Sequence, residues 1–189
     1  MMTIKIEIIK DKNLPKEYMN IMNKWRKKDM GPKEVKNFKR DYWPGAKFFF
    51  VKDNGEIVAF GGLRNVTINY LGKKYQIFGI CNICSIKKRK GYGKILVQSM
   101  IKYLKKKGKT GLGFCGNKVS KFYRKSGLKI KKSFSPRFAL KNPKTGEIKL
   151  DSDICYGVYY EGKDKLIRKV LLTKSTGYYY LPDVKEPHF

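Results

Sequence analysis

Ile80-Cys81-Asn82-Ile83-Cys84-Ser85-Ile86-Lys87-Lys88-Arg89-Lys90-Gly91-Tyr92-Gly93-Lys94-Ile95-Leu96 changes character twice over a short span. Its apolar, β-branched opening reads as a strand, and its basic, glycine-bearing middle reads as a loop. From Gly91 to Lys107, Leu96, Val97, Met100, Ile101 and Leu104 recur at helical spacing. Gly108 is positioned as a left-handed cap. A strand, a glycine turn and a helix start, in that order, suit a phosphate. Free N–H groups at the helix start point at the ligand, and the helix dipole favours its charge. Gly91 and Gly93 let the backbone come close. Alone, this pattern also fits a basic surface turn ahead of an amphipathic helix.

The chain has 189 residues, enough for one domain with a full core, and its 41% hydrophobic and 14% aromatic content is that of a folded protein. The net charge of +29 suits a polyanionic partner such as nucleic acid, an anionic membrane or a phosphorylated ligand. The lysines nevertheless run from Lys5 to Lys185 without forming a block, which fits general lysine enrichment better than a dedicated patch. Salt-dependent, non-specific nucleic-acid binding is expected either way. Cys81 and Cys84 form a Cys-x-x-Cys, but they lie inside a predicted strand and no second such pair follows. His188 is the only histidine. No metal site is expected, and the cysteines read as buried and reduced. No signal-peptide core or membrane-span run is visible. The expected location is the cytoplasm, with no membrane partner.

Along the chain, Thr3–Ile9 predicts a strand, and Asn13-Leu14-Pro15 opens a helix ending by Lys28 or Asp29. Lys33–Arg40 predicts a second, short helix, followed by the aromatic loop Asp41-Tyr42-Trp43-Pro44-Gly45. Phe48–Val51, Ile57–Tyr70 and Tyr75–Ile86 predict a three-strand antiparallel meander. Its turns fall at Asn54-Gly55 and Leu71–Lys74, with a bend at Gly61-Gly62. Thr110–Cys115 is a strand parallel to the one before it, reached through the helical crossover. Gly116-Asn117 begins a helix running to Ser126, with Gly127 ending it. Leu128–Leu140 reads as a strand, and Asn142–Gly146 as a turn. Ile154–Tyr160, Leu166–Leu172 and Tyr178–Leu181 read as strand-like pieces of a tail. The organisation is one domain over 1–189, with 141–189 as a C-terminal extension.

This order of elements resembles the GNAT acetyltransferase fold over roughly Thr3 to Leu140. That family's acetyl-CoA loop has Arg or Gln, two residues, Gly, one residue, then Gly or Ala. Here it reads Lys88-Arg89-Lys90-Gly91-Tyr92-Gly93. The Lys-Gly-Tyr-Gly core behind Cys81-Asn82-Ile83 is similar to the histone-type branch. A second family motif matches Asn117 and Phe122-Tyr123-Arg124-Lys125-Ser126-Gly127-Leu128. The resemblance implies an α+β, three-layer α/β/α fold, with a mixed, mostly antiparallel sheet flanked by helices. It implies acetyl-CoA as co-substrate and an amine acceptor, small molecule or peptide, on a monomer or homodimer.

It also implies residue roles. The amides from Arg89 to Lys94 grip the pyrophosphate, with positive charge added by Lys88, Arg89 and Lys90. The strand edge at Cys81, Asn82 and Ile83 pairs with the pantetheine arm and offers an N–H to the thioester oxygen. Asn117 belongs to the same cofactor set, and Tyr123 donates to the leaving thiolate. Two positions depart from the family. Lys88 keeps the charge but lacks a guanidinium fork. The strand position where the histone-type branch carries a Glu base is Ile77. A base would have to come from Asp41, Glu56, Asp151, Asp153 or the C-terminal carboxylate beside His188-Phe189, or act through water. Alternative readings are a basic nucleic-acid-binding module and a CoA-binding protein of the same fold without transferase activity.

Overall fold

The computed structural model describes residues 3–31, 43–150 and 155–181. The predicted helix Lys33–Arg40 and the Asp41-Tyr42 half of the aromatic loop lie outside the described residues.

The chain opens with β1 (Ile4–Lys10) and α1 (Lys16–Met30), then runs the meander β2 (Lys47–Asp53), β3 (Glu56–Tyr70) and β4 (Lys73–Ser85). All three sequential pairs are antiparallel. The hairpin between β2 and β3 turns on Asn54 and Gly55 at φ 49° and 85°, the mirror-image turn that Asn-Gly predicts. Phenylalanines of β2 alternate between two cores. Phe48 and Phe50 meet Leu14, Tyr18 and Met22 beneath α1. Phe49 and Val51 face the opposite side, against Leu96, Val97 and Met100 of α2 (Tyr92–Lys107). α2 ends at Gly108 with φ 64°, the left-handed cap expected.

β5 (Gly111–Cys115) lies parallel to β4, and α3 (Asn117–Lys125) follows it on the α2 side. Beyond α3 the single predicted strand Leu128–Leu140 is instead two strands. β6 (Lys129–Lys131) and β7 (Phe138–Lys141) are separated by Ser133 at φ 48° and a 3-10 turn over Ser135-Pro136-Arg137. They join distant parts of the sheet. β6 pairs with β9 (Tyr156–Tyr160), whereas β7 pairs with β8 (Ile148–Leu150) and β10 (Gly177–Tyr179).

A second correction concerns Leu166–Leu172, which reads as a strand in sequence and is the helix α4. Leu166, Ile167 and Val170 are buried on one side, while Leu172 is 76% exposed on the other. Both ends are tied from elsewhere. Glu161 accepts the N–H groups of Ile167 and Arg168 at 3.0 and 2.9 Å, and Arg137 Nη2 donates to the carbonyls of Val170, Thr173 and Ser175.

The sheet runs β6-β9-β5-β4-β3-β10-β7-β8, with β2 and β1 branching from β3. β3 therefore changes partners along its length. Its first half pairs with β2 and its end with β10. α1 and α4 cover one face, and α2 and α3 the other, so the expected helix-flanked, mostly antiparallel mixed sheet is present. The stretch 141–189, set apart in sequence as an extension, places β9 inside this sheet between β5 and β6.

Candidate functional site

The parallel strands β4 and β5 are paired only at Phe78–Gly111 and Gly79–Leu112. Past that point they part. At the neck, a Cβ on Gly113 would sit 2.6 Å from the Ile80 carbonyl oxygen, so only glycine permits the approach. Above it, β4 carries a bulge. Cys84 opposes Phe60 and Cys81 opposes Gly62, leaving one extra residue on β4, and Asn82 takes φ 55°. This irregularity falls where Gly61-Gly62 predicts a bend. The β5-facing edge of β4 from Cys81 to Ser85 has no strand partner among the described residues. Asn82 Nδ2 is buried there without a hydrogen-bond partner, an unmet donor of the kind that costs ~1–3 kcal/mol.

The basic loop closes over the mouth of this fork. Ile86 and Lys87 donate their N–H groups to the Val58 carbonyl, at 2.9 and 3.4 Å. Arg89 and Gly91 adopt φ 61° and 83°, turning the chain into α2. No side chain caps the start of α2, and its first turn holds no acid. The N–H groups of Tyr92, Gly93 and Lys94 are thus available to an anion. Lys88, Arg89, Lys90 and Lys94 are exposed around them. Two acids reach this loop: Glu56 pairs with Lys87 at 2.6 Å, and Asp29 with Lys88 at 3.2 Å.

Not every predicted residue offers its side chain. Tyr92 is buried and donates its hydroxyl to Asp53 Oδ2, and this bond holds its proton above the ordinary tyrosine range. Only its backbone faces the loop. Gly93 packs against α3, where a Cβ would lie 3.2 Å from the Phe122 ring. Asn117 is exposed in the first turn of α3, just past the end of β5.

Tyr123 reaches back from α3 into the core around the fork. Burial is the main reason its hydroxyl is pushed well above the usual tyrosine range, with Cys115 and Cys81 adding to it. That hydroxyl makes no hydrogen bond among the described residues. Cys115 is itself raised to about 11 by burial and then by Cys155. Cys84 is raised to about 12 by burial and by Asp29, to which its thiol donates at 3.7 Å.

Ile77 is sealed in apolar core with Val66, Tyr179 and Leu166, so nothing at its position can accept a proton. Of the acids considered from sequence, Asp41, Asp151, Asp153 and the C-terminal carboxylate lie outside the described residues. Glu56 is engaged by Lys87. Sequence separation hides Asp29, which only the fold brings beside Cys84 and Lys88, 55 and 59 positions along the chain.

Trp43 borders the other side of β4. Its ring lies 3.7 Å from where a Gly62 Cβ would be, next to the Cys81 sulfur, and the Arg64 guanidinium stacks over it at 4.5 Å. Trp43, Arg64, Thr67 and Tyr180 share a cavity of about 370 Å³. This brings Trp43 of the aromatic loop and Tyr180 of the tail to one opening. Among the described residues no group of three or more His, Cys, Asp or Glu could hold a metal ion. No helix there is long and apolar enough to cross a membrane.

The acetyltransferase (GNAT) family model matches residues 16–128, which spans α1 to the end of the glycine turn after α3. The chain belongs to the GNAT acetyltransferase family. Solved structures with the same fold include Escherichia coli YhbS, a GNAT family N-acetyltransferase in complex with CoA. It has a TM-score of 0.57 and 13% identity, over 95% of this chain and 89% of that one. Escherichia coli ElaA matches at TM-score 0.56 and 10% identity, over 84% of this GNAT chain and 100% of its own. An acyl-CoA N-acyltransferase from Pseudomonas aeruginosa matches at 0.54 and 12%, over 82% and 98%. No curated protein sequence matches the chain.

Proposed function

We propose that this GNAT protein is an acetyl-CoA-dependent N-acetyltransferase working by direct transfer to an amine. The carrying observation is the fork. A free strand edge, an uncapped helix N-terminus and a buried, protonated phenol meet around one opening.

When bound, acetyl-CoA supplies an activated acetyl carbon and a thiol leaving group. The amides of Tyr92, Gly93 and Lys94 hold the pyrophosphate, and Lys88, Arg89, Lys90 and Lys94 neutralise it. The Cys81–Ser85 edge lines up the amide-bearing pantetheine arm as a further strand would. Asn117 flanks the arm from the start of α3. The acceptor nitrogen attacks the acetyl carbon as the carbon–sulfur bond breaks, and the nitrogen's surplus proton passes to solvent. A backbone N–H of the Cys81–Ile83 edge donates to the thioester oxygen as charge builds, and left-handed Asn82 shapes the bulge that aims it. Tyr123 holds its proton more tightly than a thiol of pKa about 8.5, so it steadies the departing thiolate by donating a hydrogen bond.

The acceptor enters past Trp43, from the cavity shared with Tyr180. A test is CoA release on offering polyamines, aminoglycosides, amino acids and basic peptides, alongside calorimetric titration with acetyl-CoA. Release with at least one amine class supports transfer. Acetyl-CoA binding with no release from any acceptor favours the reading as a CoA-binding protein without transferase activity, which the sealed Ile77 position supports.

A further inference from the structure

Away from the fork, at the C-terminal end of α2, two adjoining cavities of about 570 and 620 Å³ share Lys10, Lys47, Tyr103 and Lys107. Together they are walled by six lysines: Lys10, Lys47, Lys102, Lys106, Lys107 and Lys109. Among the described residues no carboxylate lines either one. Asp11, whose charge reaches Lys47, accepts the Gly45 N–H at 2.9 Å. Lys47 is half-buried between the two. Burial holds its ammonium below the usual lysine range, and Lys10 and Lys107 push the same way against Asp11. Lys10, Lys102, Lys106 and Lys109 make no ion pair among the described residues.

Between the lysines the lining is mixed. Ile6 and Ile8 of β1, Phe78 of β4 and the ring of Tyr103 form its apolar part, and Asn65, Thr67, Gln76 and Ser99 add polar groups; Tyr103 is braced edge-on by Phe49 and Phe78 at 5.6 and 5.9 Å. Lys47 Nζ donates to the Gly45 and Ala46 carbonyls at 2.5 and 3.5 Å, and the other five ammonium groups repel one another until an anion of matching density enters. A single nucleic-acid strand brings one charge per nucleotide and cannot place that many charges in so short a trough. A chain of condensed phosphates can.

We propose that this trough is a second ligand site, separate from the fork, for a condensed-phosphate chain. The lysines take the phosphates, and a base, where the chain carries one, would take the place of the Lys107 ammonium that sits over the Tyr103 ring at 5.8 Å.

Inorganic tripolyphosphate is titrated by calorimetry into the full chain saturated with CoA, at physiological salt, and ATP is titrated in a parallel arm. Saturable tripolyphosphate binding that persists with CoA present is expected. ATP binding several-fold tighter assigns a nucleoside polyphosphate, and equal affinity assigns the phosphate chain alone. Lys102→Glu with Lys106→Glu lies on the exposed face of α2 and should weaken tripolyphosphate at least tenfold while CoA affinity stays unchanged. Lys102→Gln with Lys106→Gln repeats the test without reversing charge. Unchanged tripolyphosphate affinity in both pairs overturns the proposal. So does loss of tripolyphosphate binding on CoA saturation, which would place it in the fork, and so does displacement by a single-stranded RNA hexamer at lower concentration. Titration without CoA keeps the result readable even if CoA itself does not bind.

Discussion

The ammonium of Lys88 lies 3.2 Å from Asp29 Oδ1, joining the basic run ahead of Gly91 to the end of α1. The Lys88 side chain is 66% exposed, and so open a pair is worth no more than ~1 kcal/mol. Its effect is on the ligand. A phosphate arriving at the loop has to compete with Asp29 for that charge. Asp29→Asn should leave stability within ~1 kcal/mol of the parent and leave CoA affinity unchanged or a few-fold tighter at low salt. Calorimetric titration reads this directly, and a marked loss of affinity would mean that Asp29 holds Lys88 in its binding position.

Tyr123 is expected to act on the chemical step. Tyr123→Phe should cut kcat ~100-fold or more, with acetyl-CoA Kd changed less than threefold. Because burial raises the hydroxyl above the ordinary value near 10, the parent's rate should show no loss from this group between pH 7 and 10. The linkage to folding has the same sign. A group whose pKa is raised by folding adds stability that is fully present below its unfolded value and is lost as pH rises towards the folded one. Any stability advantage of the parent over Tyr123→Phe that arises from this shift should therefore fade above about pH 10, as read by denaturant unfolding.

The thiols near the fork are held protonated. With Cys115 raised to about 11, the thiolate is about one part in a thousand at pH 8. Cys115→Ser should keep turnover within a few-fold of the parent. Rapid-quench assays should show no burst and no acyl-enzyme, and mass spectrometry should find Cys84 and Cys115 slow to react with iodoacetamide. A stoichiometric acyl-cysteine would replace direct transfer by a two-step route.

Asn82 couples backbone and chemistry. Its φ of 55° suits glycine, and its buried Nδ2 has no partner. Asn82→Gly should be neutral or stabilising by up to ~1 kcal/mol, while turnover drops ~10-fold as the bulge that aims the strand's N–H loosens. Asn82→Ala keeps the left-handed demand without glycine's freedom and should cost ~1 kcal/mol or more. Thermal unfolding and steady-state kinetics on both variants separate the two effects. Equal turnover in all three proteins would remove the side chain from the reaction.

Local patterns were legible in the sequence where one short segment carried its own signal. Asn54-Gly55 specified its hairpin, and Gly108 ended its helix. What the sequence hid depends on partners far along the chain. Leu166–Leu172 is helical because Glu161 and Arg137 tie its ends, and a seven-residue apolar run does not reveal that by itself. Leu128–Leu140 looked continuous because charged and apolar residues alternate loosely through the break at Ser133. Tyr92 sits inside the basic loop motif, yet its side chain serves Asp53 on the opposite hairpin. Asp29 likewise meets Lys88 only through the fold.

β9 also constrains the order of assembly. Residues 156–160 pair with β5 along its whole length and with β6, so the wall of the fork opposite β4 is finished by one of the later strands of the chain. During synthesis the meander, the glycine loop and α2 would emerge well before that wall can close. The earlier part is rich in near-neighbour pairings, whereas joining Cys115 to Tyr156 spans some forty residues and is a slow, long-range closure. The completed cleft would therefore arise abruptly, at a late stage of folding. A nascent chain halted before residue 156 would hold the loop without the cleft.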